Sequence, residues 1–321
     1  MSKLKFIDYP TPIERSAYDN LKEKIVSDLK SFSQVKSIYQ MGSVKEPGIS
    51  DLDIICVFEE NSDCDINLRK ELSVDEKKIL THSLFGIESN YFEQALNYNL
   101  ISNLNLLYGD GVKIDSSLAP TNDKIEKQIA LEYMLRMYLS LSEQVKYGVI
   151  KLRSFLLLGK AIAFDLELLN IKSGKLYDLV NKILNYRSTW FTNMPSSEQL
   201  EHLIISFSNE LELLLKKELN KKYFYLPIDT ITFPEGYSIQ QSIEFKYVCE
   251  GYILPSIFSV LGKKYINLQR RFNTVKYFIP FEIPLQESEI DKRFIFGKKL
   301  YEINKERYLH FLPLNSSLSI F

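Results

Sequence analysis

The stretch "YQMGSVKEPGISDLDIICVF" (residues 39–58) closes one apolar run with a Gly-Ser pair and opens the next with two aspartates one residue apart. On a strand, Asp51 and Asp53 alternate past Leu52 and so project to the same face. Two neighbouring carboxylates repel unless they are solvated or share a cation. Hard divalent ions such as Mg2+ take carboxylate oxygens together with substrate phosphates, so a site for one or two such ions is the natural remedy. Gly42 allows close backbone approach or a positive φ, and Ser43 with the amides after it can open a helix or nest that receives phosphate oxygens. Both halves of the stretch then address one nucleoside triphosphate.

The flanking sequence supplies the frame. Pro10 and Pro12 precede a segment from Glu14 to Phe32 whose apolar residues Ala17, Leu21, Ile25, Val26 and Leu29 follow helical spacing. Val35 to Met41 and Leu52 to Phe58 read as paired strands around the turn-prone SVKEPGIS segment. A further helix is expected over Asn67 to Leu80, then strands at Ser83 to Ile87 and Leu104 to Tyr108 around a helix at Tyr91 to Tyr98. After polar punctuation at Ser116 to Asp123, Ile125 to Leu169 is almost continuously helical in period and contains no proline. Ser173-Gly174, Asn193 to Ser197 and Pro227 to Ser238 divide the rest into a helical block and a less regular, aromatic-rich C-terminal part.

Met41, Gly42, Ser43, Asp51, Leu52, Asp53 and Ile54 stand in an order that resembles the nucleotidyltransferase superfamily typified by DNA polymerase beta: an apolar residue, Gly-Ser, a spacer, then Asp-x-Asp among apolar neighbours. "GISDLDIICVF" looks especially like its smaller members, which modify drugs, metabolites or proteins. The resemblance covers residues 16–110. It implies an α/β (α+β) nucleotidyltransferase domain over 1–118, with a short mixed sheet and flanking helices, and a mainly α-helical second domain over 119–321 with the active site in the cleft between them. It also implies that Asp51 and Asp53 hold one or two Mg2+ ions while an acceptor hydroxyl attacks the α-phosphate and pyrophosphate leaves.

The family usually adds a third carboxylate from a later strand, and here the pattern departs. In "THSLFGIESNYFEQ" (81–94) Glu88 ends an apolar run and is the leading candidate, with a helix N-terminal glutamate before Tyr91 as the plainer reading. His82 is an alternative base with a pKa suited to proton transfer near neutrality, or an ordinary packed histidine. Asp110, flanked by Gly109 and Gly111, belongs to a turn. Second domains of the family commonly contact the triphosphate. Lys146, Arg153 and Lys160, seven apart, would form one basic stripe on a continuous helix, which makes Arg153 and Lys160 nucleotide-binding candidates; a solvated helix face is the alternative, and Gly148 weakens the helix's continuity. The rings of "KKYFYLPI" (221–228) and "RRFNTVKYFIPFEI" (270–283) are read chiefly as packing, with base stacking as the alternative.

Composition narrows the field. Forty basic against forty-one acidic side chains, with no long block of either sign, give no expectation of tight binding to long nucleic acid. Three cysteines without CxxC spacing and three scattered histidines do not make a structural zinc site, and the chain reads as reducing and cytoplasmic. Apolar stretches are broken by charge before bilayer length, so no membrane is expected. The sequence therefore points to a metal-dependent transfer of a nucleoside monophosphate, AMP by default, onto a hydroxyl of a small molecule. Transfer to a protein or an RNA end, and a non-catalytic nucleotide- or partner-binding descendant, are the alternatives.

Overall fold

A computed structural model describes residues 4–111, 123–233, 236–315 and 318. The chain runs through β1 (Lys5–Ile7), α1 (Arg15–Leu29), β2 (Val35–Met41), β3 (Asp53–Phe58), the short helices α2 (Leu68–Glu71) and α3 (Glu76–Ile79), β4 (Phe85–Glu88), α4 (Ser89–Asn99) and β5 (Leu104–Gly109). Then follow α5 (Asp123–Tyr147), β6 (Val149–Lys151), α6 (Leu152–Leu168), α7 (Lys175–Thr189) and α8 (Ser197–Leu219). The last part holds β7 (Thr230–Thr232), β8 (Tyr237–Gln241), β9 (Lys246–Gly251), α9 (Lys263–Phe272), β10 (Asn273–Ile279), α10 (Glu289–Arg307) and β11 (Leu312–Pro313).

These elements form two compact units, one of Thr11–Asn122 with Asp291–Ile320, the other of Met1–Pro10 with Asp123–Ile290. The expected cut at 118/119 differs from this division at both ends. The first residues join the helical unit because β1 pairs in parallel with β6, Phe6 opposite Ile150. The segment from Asp291 returns to the mixed unit, where β11 pairs with β4. The polar punctuation at Ser116 to Asp123 falls, except for Asp123, outside the described residues.

In the mixed unit, five strands lie in the order β11-β4-β3-β2-β5. β2 is antiparallel to β3 and β5, whereas β3 and β4 are parallel. β3 is apolar at every position after Asp53 because both its faces are covered. Ile54, Cys56 and Phe58 pack with Tyr18, Leu21, Ile25 and Leu29 of α1, while Ile55 and Val57 pack with Phe92, Ala95 and Leu96 of α4 and with Phe296 and Leu300 of α10. The helix expected over Asn67 to Leu80 is instead two single turns, α2 and α3, separated by Leu72 to Asp75, with Leu72 extended and buried.

Gly86 of β4 marks a tight approach. A Cβ there would lie 2.7 Å from the Cβ of Phe311 and 3.1 Å from the Phe58 ring. Gly86→Ala is expected to destabilise the unit by about 1–3 kcal/mol through overpacking, read as a lower urea midpoint; an unchanged midpoint would mean that Phe311 yields without cost.

The helical unit packs α5 against α6 and α8, and α7 against α6 and α8. The expected continuous helix from Ile125 to Leu169 is interrupted: Gly148 adopts φ 70° and the chain extends through β6 before α6 begins. The C-terminal part is more regular than its sequence suggests, since β7-β8-β10-β9 form a four-stranded sheet. Phe224, Tyr277 and Phe281 are buried, in keeping with the packing role read for the aromatic stretches.

Candidate functional site

The loop from Gly42 to Leu52 is fastened by α1. Tyr18 lies buried on that helix, and its hydroxyl accepts the Gly48 N–H at 3.0 Å and donates to the Ser50 carbonyl at 2.7 Å. Arg15 Nη2 donates to the Val44 carbonyl at 2.7 Å. Ile49 and Leu52 drop into the core, which leaves Asp51 and Asp53 at the solvent side of a fixed backbone. Tyr18→Phe removes both hydroxyl bonds and leaves the Gly48 amide and Ser50 carbonyl without this partner. A loss of about 1–3 kcal/mol in unfolding free energy is expected, with faster hydrogen exchange at Gly48 as the local sign; protection equal to the wild type would discount the tether.

Asp53 begins β3 opposite Met41, so the Gly42-Ser43 pair and the aspartates come together at one end of the antiparallel β2–β3 pair. Gly42 has φ 70°, a conformation other residues seldom adopt, and a Cβ placed on it would meet nothing within 4 Å. The backbone there is open to a ligand. Ser43 is exposed but opens no helix; residues 46–49 form a turn, and that part of the expectation is corrected.

The third participant comes from the approach to β4. The Leu52 N–H donates to the Ile79 carbonyl at 3.1 Å, which ties the end of α3 to the aspartate segment. Arg69 Nη2 holds the Thr81 carbonyl at 2.7 Å, and the Thr81 hydroxyl reaches Asp51 Oδ2 at 3.4 Å. His82 follows. Its Nε2 lies 2.9 Å from Asp53 Oδ1 and its Nδ1 2.7 Å from the Ser83 carbonyl oxygen. Burial works against the charged imidazole, but the hydrogen bonds to Asp53 and Ser83 and the charges of Asp53 and Asp51 outweigh it, so the His82 pKa is raised. Ligand atoms from Asp51, Asp53 and His82 all lie within 4.8 Å of one another, and each residue is half-buried.

Glu88 does not join them. In the parallel ladder it stands opposite Phe58, at the far end of β3 from Asp53, about 16 Å along the strand at the usual rise. It is buried and accepts a hydrogen bond from Arg307 Nη1 at 2.7 Å. It also precedes α4 as its N-cap residue, without a side-chain cap, so the catalytic assignment is corrected in favour of a structural glutamate at a helix start. The register gives the reason. Ile55 faces Phe85, so two residues back toward the strand starts Ser83 falls beside Asp53, and His82 is next to it.

Arg153 and Lys160 belong to α6 of the helical unit. Arg153 is buried and Lys160 exposed, and β6 interrupts the helix between Lys146 and Arg153. The expected basic stripe is therefore not formed. Asp110 is exposed just after β5, beside Gly109 at φ 80°, and the chain beyond Gly111 lies outside the described residues until Asp123.

His82 is already the alternative base in the sequence, whereas its hydrogen bond to Asp53, and Tyr18, Arg15 and Arg69 as supports of the aspartates, are visible only once the strand pairing is known. The one signal in the sequence is a histidine three residues before a short apolar strand. Among the described residues no helix is long and apolar enough to cross a membrane. Comparison with family models, with curated proteins and with solved structures finds no match to this chain.

Proposed function

We propose that the chain is a divalent-ion-dependent nucleotidyltransferase that moves a nucleoside monophosphate, AMP by default, from a nucleoside triphosphate to a hydroxyl of a small molecule. The observation that carries this reading is the convergence of Asp51, Asp53 and His82 beside Gly42 and Ser43. The donor set fits a divalent ion. Two carboxylate oxygens and an imidazole nitrogen are gathered on a half-buried surface, and the missing Cβ of Gly42 leaves room for a substrate group next to them.

Asp51 and Asp53 would hold the ion, Mg2+ in the simplest case, and a bound ion there would supply charge neutralisation for the triphosphate and acidify the attacking hydroxyl. Gly42 admits the phosphate chain to the backbone, and the Ser43 hydroxyl donates to a phosphate oxygen. In the transfer, an oxygen–phosphorus bond forms at the α-phosphorus as the bond to pyrophosphate breaks. The hydroxyl proton leaves to solvent by way of the carboxylate pair. Tyr18 and Arg15 keep the loop in one place, so positioning is set before substrate arrives.

A second reading, nucleotide binding without transfer, is favoured by one observation. Among the described residues no third carboxylate joins the pair, and His82 stands in that place. Calorimetric titration with ATP, CTP, GTP and UTP, with and without Mg2+, tests both readings against an Asp51→Asn/Asp53→Asn control. Ion-dependent binding of one triphosphate, absent from the control, supports the site; product formation with a hydroxyl acceptor then separates transfer from binding alone. Failure of the well-folded protein to bind any triphosphate would overturn both.

A further inference from the structure

We propose that His82 is the third ligand of the ion held by Asp51 and Asp53, and that this two-carboxylate, one-imidazole set binds Mn2+ more tightly than Mg2+. The inference rests on the reading of the site as a divalent-ion centre.

The orientation of the ring carries it. The Ser83 carbonyl can only accept a hydrogen bond, so His82 Nδ1, 2.7 Å away, carries the hydrogen. Nε2 is then the nitrogen turned toward the carboxylates, 2.9 Å from Asp53 Oδ1. A ligating histidine is typically held this way, with its far N–H spent on a backbone carbonyl that fixes both tautomer and ring angle. The ring is also braced by the edge of Phe85, with centroids 5.2 Å apart. Its backbone is braced by the Arg69 bond to the Thr81 carbonyl just before it.

The chemistry follows from the donor set. Mg2+ is hard, prefers oxygen and gives up water reluctantly. First-row ions accept an imidazole nitrogen, and Mn2+ among them also suits carboxylate and phosphate oxygens. Exchanging a third carboxylate for a neutral imidazole lowers the negative charge that would draw Mg2+ and adds a donor that Mg2+ uses poorly. His82 and Asp53 are each about one third exposed, at 32% and 28% of their side-chain area, so coordination positions are left for water and phosphate.

Mn2+ itself is the probe. Electron paramagnetic resonance of the full chain titrated with Mn2+ gives the affinity, competition with Mg2+ gives the preference, and pulsed spectra report whether a 14N nucleus is directly bound. The wild type is expected to show 14N coupling and to prefer Mn2+. His82→Gln and His82→Asp should both lose the coupling. In His82→Gln the Mn2+ affinity should fall by at least the roughly tenfold that loss of a supporting group alone costs such sites, and in His82→Asp the preference should move toward Mg2+. Mn2+ that binds the wild type without 14N coupling, and is released only by Asp51→Asn/Asp53→Asn, would overturn the role of His82 and leave the two-aspartate site standing. Coupling that survives in both His82 variants would overturn it as well. Failure of folded wild type to bind Mn2+ would overturn this inference together with the reading on which it rests.

Discussion

Asp53→Asn is expected to lower the proposed nucleotide transfer about a thousandfold or more, a loss of about 4 kcal/mol or more of transition-state stabilisation, while the protein stays folded. The carboxylate is central to the cluster: it opens β3, faces Met41 at the mouth of the Gly42 turn, and is the residue on which His82 Nε2 converges. An asparagine keeps an oxygen that can accept from His82 but gives up the charge that an ion requires. Stability should change little. The variant loses part of its attraction to His82 and also the repulsion between Asp51 and Asp53, two effects of opposite sign and each about 1 kcal/mol in size. Pyrophosphate release and a thermal melt on the same preparation are the paired measurements. Full turnover in a folded Asp53→Asn protein would remove the ion from the mechanism.

Arg307→Ala should unfold the mixed unit more readily, by about 3 kcal/mol, because it leaves Glu88 buried without its guanidinium. The loss lies at the low end for a broken buried pair because the Arg307 side chain is itself 34% exposed. Urea unfolding reads the loss. Adding Glu88→Gln to Arg307→Ala should recover part of it, since the amide needs no counter-charge. Glu88→Gln alone should leave transfer unchanged, as a residue about 16 Å along the sheet from Asp53 has no part in it. A large fall in turnover for that variant, with folding intact, would return Glu88 to the chemistry.

Local pattern carried much of the mixed unit. The period-3.6 spacing from Ala17 to Leu29 became α1, and the apolar runs ending at Met41 and Phe58 became antiparallel neighbours. The paired aspartates were legible because two charges beside a run as apolar as Ile54 to Phe58 have few structural uses. What escaped was set by long-range pairing. Glu88 ends the four-residue strand β4 and His82 lies three residues before its start, and only the register between Ile55 and Phe85 decides which of them faces the aspartates. Arg153 had the right spacing for a stripe, but Gly148 and the pairing of β6 with β1 reset the helix and turned the arginine inward. The four-stranded sheet of the helical unit was hidden because β7 and β8 span only three and five residues and β9, KYVCEG, has no clear alternation of apolar and polar residues.

The return of residues 291–320 also bears on how the chain is made. β11 lies along the outer edge of β4, Asn304 Nδ2 reaches the Gly86 carbonyl at 3.0 Å, and Tyr308 stacks on Phe58 with ring centroids 4.3 Å apart. During synthesis all of these partners emerge after the whole helical unit has been translated. Until then the nascent sheet presents β4 as a bare edge, with one face of the Phe58 ring uncovered, and an unpaired edge of that kind recruits strands from other chains. The unit that carries the aspartates is thus begun before Asp123–Ile290 of the helical unit and completed only after it. A fragment ending at residue 122 would be caught in that half-built state, and heterologous production of the candidate catalytic unit calls for the C-terminal segment to be supplied, by fusion or in trans.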